Sequence, residues 1–98
     1  MAGNHYVYII RCKDQTLYTG YTNDLSVRLK KHVLGKGAKY TRGRGPFSLE
    51  YCQQFNSKTE AMQQEYRIKQ WSRLRKETWI LEQEGGLRNE YSKELLQP

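Results

Sequence analysis

The chain of 98 residues carries 17 Lys and Arg against 10 Asp and Glu, a formal net charge of +7, and 37% of it is apolar. That length supports one small domain, in which folding buries about 60–68% of the unfolded chain's surface. No apolar run approaches the roughly 18 residues of a membrane span, and no apolar stretch of the secretory kind opens the chain. Cys12 and Cys52 stand 40 residues apart without metal-ligand spacing, so the expectation is two buried, reduced thiols and a cytoplasmic protein.

Residues 6–11 (Tyr-Val-Tyr-Ile-Ile-Arg) and 16–21 (Thr-Leu-Tyr-Thr-Gly-Tyr) are β-branched and aromatic and flank a polar turn at Lys13-Asp14-Gln15, which predicts an antiparallel hairpin. Thr22, Asn23 and Asp24 are good helix caps. The helix that follows places Leu25, Leu29 and Val33 at i, i+4 and i+8 as its buried stripe, and Gly35 ends it. Arg28 and His32 lie on or beside that stripe, one turn apart. Residues 36–46, Lys-Gly-Ala-Lys-Tyr-Thr-Arg-Gly-Arg-Gly-Pro, read as a loop with four basic side chains. Phe47–Phe55 reads as a third strand, with Leu49, Tyr51 and Phe55 alternating against polar neighbours.

Asn56-Ser57 then caps a second helix over about 58–71, whose stripe is Ala61, Met62 and Ile68. Glu65 falls among those apolar positions. A carboxylate there is costly unless it is paired or binds a metal, and Lys69 is the nearby partner. Trp71, Leu74, Trp79, Ile80 and Leu81 predict a third helix over about 73–83 that closes the core. Gly85-Gly86 breaks it, and residues 84–98 are expected to be a polar tail, mobile or a loosely held short helix. The fold class expected is α+β: a single domain over 1–83, with a three-stranded antiparallel sheet flanked by three helices.

The charge is uneven. Residues 1–82 hold 15 basic against 7 acidic side chains, residues 83–98 hold 2 against 3, and from Arg28 to Arg44 there are seven basic residues and no acidic one. Such a field attracts a polyanion. Glycines and Tyr40 interleaved with the cations point to nucleic acid, since backbone amides and arginines can approach phosphates there. Lys36, Lys39, Tyr40, Arg42 and Arg44 are the candidate contacts.

Tyr8, Tyr18, Arg28, His32 and Glu65 are the groups able to converge, provided the hairpin register gives both phenols one face. Phosphodiester hydrolysis needs groups of these types. A carboxylate with waters holds a hard cation, a fixed cation stabilises charge on phosphorus, and a phenol or imidazole takes a proton from water. One acidic ligand suits a single Mg²⁺ that keeps most of its waters.

Tyr6-Val7-Tyr8 followed by Tyr18-Thr19-Gly20 resembles the paired signature of the GIY-YIG nuclease family, with Arg28 at the helix arginine, Glu65 at the metal-binding glutamate and His32 at a histidine found in many members. The resemblance covers residues 5–82. It is strongest to the small single-domain bacterial UPF0213 branch, through Gly35–Arg44 and Ile68-Lys69-Gln70-Trp71-Ser72-Arg73. That branch is itself similar to the nuclease domain of a eukaryotic structure-specific endonuclease. Tyr6 stands where the signature has glycine and Thr19 where it has isoleucine. Lys76-Glu77-Thr78 occupies the region where many members carry an asparagine.

What the resemblance implies is a Mg²⁺- or Mn²⁺-dependent endonuclease hydrolysing DNA, with branched, flapped or single-stranded DNA in repair or recombination as its substrate. Glu65 would hold the metal and Arg28 would neutralise transition-state charge. Tyr8, Tyr18 and His32 would orient and deprotonate water, with Tyr18 preferred as the base assisted by His32. The loop of Lys36, Lys39, Tyr40, Arg42 and Arg44 would hold the strand, and a protein partner would supply targeting. Two readings stand beside it: a non-catalytic nucleic-acid-binding module, and an RNA-directed nuclease.

Overall fold

The computed structural model describes residues 4–83. His5–Arg11 and Leu17–Thr22, rich in β-branched and aromatic side chains, form strands β1 and β2 of an antiparallel hairpin. Asp14 closes the turn, its carboxylate accepting from the Thr16 hydroxyl at 2.6 Å, while Gln15 takes the left-handed conformation at φ 73°. Strand β3, Ser48–Phe55, pairs antiparallel with the other edge of β1, giving the order β2-β1-β3. β1 is therefore central, and Val7, Tyr8, Ile9 and Ile10 are fully buried.

The register slips once. Ile9 faces Tyr51 and Ile10 faces Leu49, so Glu50 is an extra residue in β3. This bulge sends Leu49 and Tyr51 to opposite faces of the sheet, where simple alternation would have put them on one. Glu50, buried, accepts from Arg11 Nε at 3.2 Å and from the Ser48 hydroxyl at 2.9 Å.

Helix α1, Leu25–Val33, covers one face of the sheet; Leu25 and Leu29 pack with Tyr8, Ile10, Phe47 and Leu49. Asp24 caps it by accepting from the Val27 amide. It ends in paired bonds from Lys36 N to Lys31 O and from Gly35 N to His32 O, with Gly35 at φ 77°. Its third buried residue is His32; Val33 is half-buried.

Helices α2, Lys58–Lys69, and α3, Arg73–Gln83, cover the other face, with Ala61, Ile68 and Ile80 against Val7, Ile9 and Tyr51. Three expected core positions lie elsewhere. The stripe of α2 runs Ala61, Gln64, Ile68, and Met62, rotated about 100° from Ala61, is exposed. On α3, Leu74 and Leu81 are seven residues apart and share the solvent side, leaving Ile80 buried and Trp71 and Trp79 half-buried in edge-to-face contact. The second helix also stops before Trp71, because Ser72 starts the next one by accepting from the Arg75 amide. The expected tail, 84–98, lies outside the described residues. No helix among those described is long and apolar enough to cross a membrane.

A forked ion pair fastens α3 to the sheet. Arg11 donates to both Glu77 carboxylate oxygens at 2.8 and 2.6 Å, which holds the Glu77 pKa down at about 2. A depressed acid stabilises the fold above its ordinary pKa and loses that contribution as pH falls through the folded value. The melting temperature should therefore fall between about pH 4.5 and 2, and in Glu77→Gln that part of the fall should flatten. An equal fall in both proteins, followed by circular dichroism, would remove the pair from the account.

Candidate active site

The hairpin register places Tyr8 opposite Gly20, with Tyr18 on the same face. The Tyr8 ring lies across Gly20 so closely that a Cβ there would stand 2.5 Å from the Tyr8 hydroxyl and 3.0 Å from the Tyr18 ring. The glycine of the Tyr-Thr-Gly triplet is thus a matter of space.

One turn apart on α1, Arg28 and His32 reach down to that face. Tyr8 Oη accepts from Arg28 Nε at 3.2 Å and lies 2.7 Å from His32 Nε2. His32 Nδ1 lies 2.9 Å from the Thr41 hydroxyl, which donates to the Ala38 carbonyl at 3.0 Å. Thr41 ends the short 3-10 turn Lys39–Thr41 in the basic loop, and Gly37 of the same loop packs flat on the His32 ring. Tyr18 meets His32 by its ring edge at 5.4 Å and stacks on Tyr40 at 5.9 Å. His32 is therefore hydrogen-bonded to Tyr8, and its link to Tyr18 is ring packing.

Burial divides the two phenols. Tyr8 is fully buried, and desolvation pushes its pKa up to about 12 against the opposing effect of Arg28. Burial first, and the Arg28 charge second, push His32 down to about 4. Near neutral pH the proton stays on Tyr8 and the imidazole is neutral. Tyr18, by contrast, is half-exposed.

Glu65 comes from α2, around the sheet. Its charge helps raise the Tyr8 pKa, so it lies within electrostatic reach of the cluster. The side chain is mostly buried, 12% exposed, and Oε2 pairs with Lys69 Nζ at 3.0 Å. Among the described residues no three His, Cys, Asp or Glu gather around one point. A soft or closely caged metal does not fit. A hard, hydrated cation does: one partly open carboxylate, whose lysine partner is half-exposed and free to swing into solvent, leaves the remaining positions to water and phosphate.

Lys36, Lys39, Tyr40 and Arg42 are exposed, as a binding loop requires. Arg44 is committed elsewhere: it forms a close ion pair with Asp14, lies 4.9 Å over the Tyr40 ring, and its carbonyl accepts from the Lys13 amide. It ties the loop to the hairpin turn, which sequence adjacency to the other cations hides. An open hollow of about 330 Å³ sits at the other side of Arg28, lined also by Thr22, Asn23, Asp24, Lys31 and Lys58. Lys58 is seven residues before Glu65, two helical turns along nearly the same face, and that spacing was a usable signal. Thr41 had none, because its role depends on how the loop folds back.

Comparison with known proteins places residues 4–78 within the GIY-YIG catalytic domain family. A UPF0213 protein of Oceanobacillus iheyensis is 64% identical over 76 residues, 78% of this chain and 88% of that one. The solution structure of a UPF0213 protein from Bacillus halodurans matches at 59% identity with a TM-score of 0.53, covering 78% of this chain and 81% of the other. A solution structure from E. faecalis matches at 34% identity and a TM-score of 0.56, covering 82% and 88%.

Proposed function

This chain belongs to the GIY-YIG family, in its UPF0213 branch, and from that premise we propose that it is a metal-dependent endonuclease hydrolysing phosphodiester bonds in DNA. The observation that carries the reading is the convergence of Tyr8, Tyr18, Arg28 and His32 on one sheet face within reach of the Glu65 charge. A purely structural core has little use for a buried phenol, an imidazole and a guanidinium bonded in series.

In this mechanism Arg28 faces the scissile phosphate and offsets charge that builds on its oxygens. Its guanidinium is held in place by Tyr8, whose hydroxyl His32 anchors from behind. Tyr18 is the half-exposed phenol, suited to orienting the attacking water and receiving its proton. Glu65 would hold Mg²⁺ or Mn²⁺, which when bound supplies Lewis-acid stabilisation at the phosphate. Lys36, Lys39 and Arg42 on one side, and Lys31 and Lys58 in the hollow on the other, hold the strand through phosphates and leave sequence unread. Branched, flapped or single-stranded DNA suits a surface of this kind. Cys12 is buried and Cys52, expected to be buried too, is half-buried; neither is in a disulfide, which fits a reducing, cytoplasmic setting.

The test is incubation with Mg²⁺ or Mn²⁺ against single-stranded, duplex, flapped and branched DNA and the matching RNAs. Cleavage of DNA, lost on adding chelator, is expected. Binding without any cleavage would make the chain a binding module, and cleavage of RNA alone would overturn the DNA assignment.

The strand path has its own check. Lys31→Ala with Lys58→Ala should flatten the log–log salt dependence of DNA binding by about two units, roughly one per phosphate contact. Arg44→Ala should change it less, since Asp14 already balances that charge. A double variant with the parent's slope in fluorescence anisotropy would move the strand out of the hollow.

A further inference from the structure

We infer that Thr41 is a positioning residue, which fixes the tautomer of His32 and so makes the catalytic face depend on the folded basic loop. The inference rests on the nuclease reading for its catalytic consequence, but its structural content stands on four bonds. Ala38 offers a carbonyl, which can only accept, and Arg28 offers Nε–H, which can only donate. Ala38 O also accepts from the Thr41 amide at 3.1 Å, and it is the Tyr8 end that decides the order, because the buried Tyr8 hydrogen finds its acceptor at His32 Nε2.

The Thr41 hydroxyl spends its single hydrogen on Ala38, so its oxygen accepts from His32 and the imidazole carries its proton on Nδ1. Nε2 is then a lone pair, and Tyr8, whose oxygen already accepts from Arg28, donates to it. The opposite tautomer would aim Nε2–H at a phenol oxygen that already faces Arg28, and would strand the Tyr8 hydrogen in a fully buried site. Thr41 is 1% exposed and His32 likewise, so water does not substitute for either partner.

Gly37 reinforces the arrangement. A Cβ there would stand 2.5 Å from His32 Nδ1, so the loop seats its backbone against the ring only because this position is bare. The loop that carries Lys36, Lys39 and Arg42 is thereby built into the catalytic face, and a phosphate contact on it bears on a segment that also holds His32. Local sequence shows a threonine between Tyr40 and Arg42 in a basic loop, where a solvated role is the plain expectation.

The experiment is long-range ¹H–¹⁵N NMR of the full chain, whose two histidines make assignment simple, on the parent, Thr41→Val and Thr41→Ser, alongside steady-state cleavage. The parent's His32 should carry its proton on Nδ1, and Thr41→Ser should keep it there. Thr41→Val should shift the tautomer balance and lower kcat on the order of 10- to 100-fold with KM within about two-fold. A parent with the proton on Nε2, or a Thr41→Val protein with parental tautomer and kcat, would overturn the inference. Absence of cleavage in the parent would strike the nuclease reading alone, because the tautomer of the uncut, unmutated protein still decides this one.

Discussion

Glu65→Gln should lower the rate of cleavage by about 10³-fold, equivalent to about 4 kcal/mol of transition-state stabilisation, while DNA affinity stays at the parent's level or tightens. The amide keeps the shape of the side chain and removes the charge. A hard cation held mainly by one protein carboxylate loses most of its protein charge with it, since no group of three or more acids, histidines or cysteines gathers among the described residues. Loss of a negative group beside the phosphate accounts for the affinity. Stability should hardly move, because what the fold loses is an i,i+4 pair with a half-exposed lysine, worth about 0.3–0.5 kcal/mol. Those two magnitudes separate the roles: a merely structural Glu65 would show the small stability change with parental cleavage. Single-turnover assays and thermal melts on the same preparation read both.

Gly20→Ala should be strongly disruptive for a single added methyl. Its Cβ would meet the Tyr8 hydroxyl at 2.5 Å and ring carbon Cζ at 2.6 Å, and the ring is fully buried with no free space to rotate into. Overpacking of that kind costs about 1–3 kcal/mol, or very roughly 4–8 °C of melting temperature per kcal/mol at this size. The catalytic loss should be larger than the stability loss suggests, because the displaced hydroxyl is bonded by both Arg28 and His32. Gly43→Ala gives the contrast: at φ 75° with nothing within 4 Å of a Cβ, it strains the loop backbone and brings no clash with Tyr8. A Gly20→Ala protein that melts and cuts like the parent would mean Tyr8 does not lie where described.

The lowered pKa of His32 bears on how the cluster runs. A neutral imidazole at physiological pH is an acceptor for the Tyr8 hydroxyl and adds no positive charge beside Arg28. Where the expectation has His32 assist Tyr18, the bonds place His32 on Tyr8, which also accepts from Arg28, and leave ring packing to the half-buried Tyr18. Arg44, expected to bind phosphate, pairs with Asp14 and lies over Tyr40, so a phosphate there competes with that exposed pair.

Taken alone, the sequence determined the elements and most of their faces: the hairpin, the three helices and the run of cations after Arg28. Period and capping are local properties, written within a few residues of where they act. The tertiary structure decided the rest. It set the slip at Glu50 that sends Leu49 and Tyr51 apart, the fork from Arg11 to Glu77 across 66 positions, the burial of Tyr8 against the exposure of Tyr18, and the bond from Thr41 to His32. Each of these depends on two segments meeting in one register and no other, and a contact between distant segments leaves no mark on the periodicity of either.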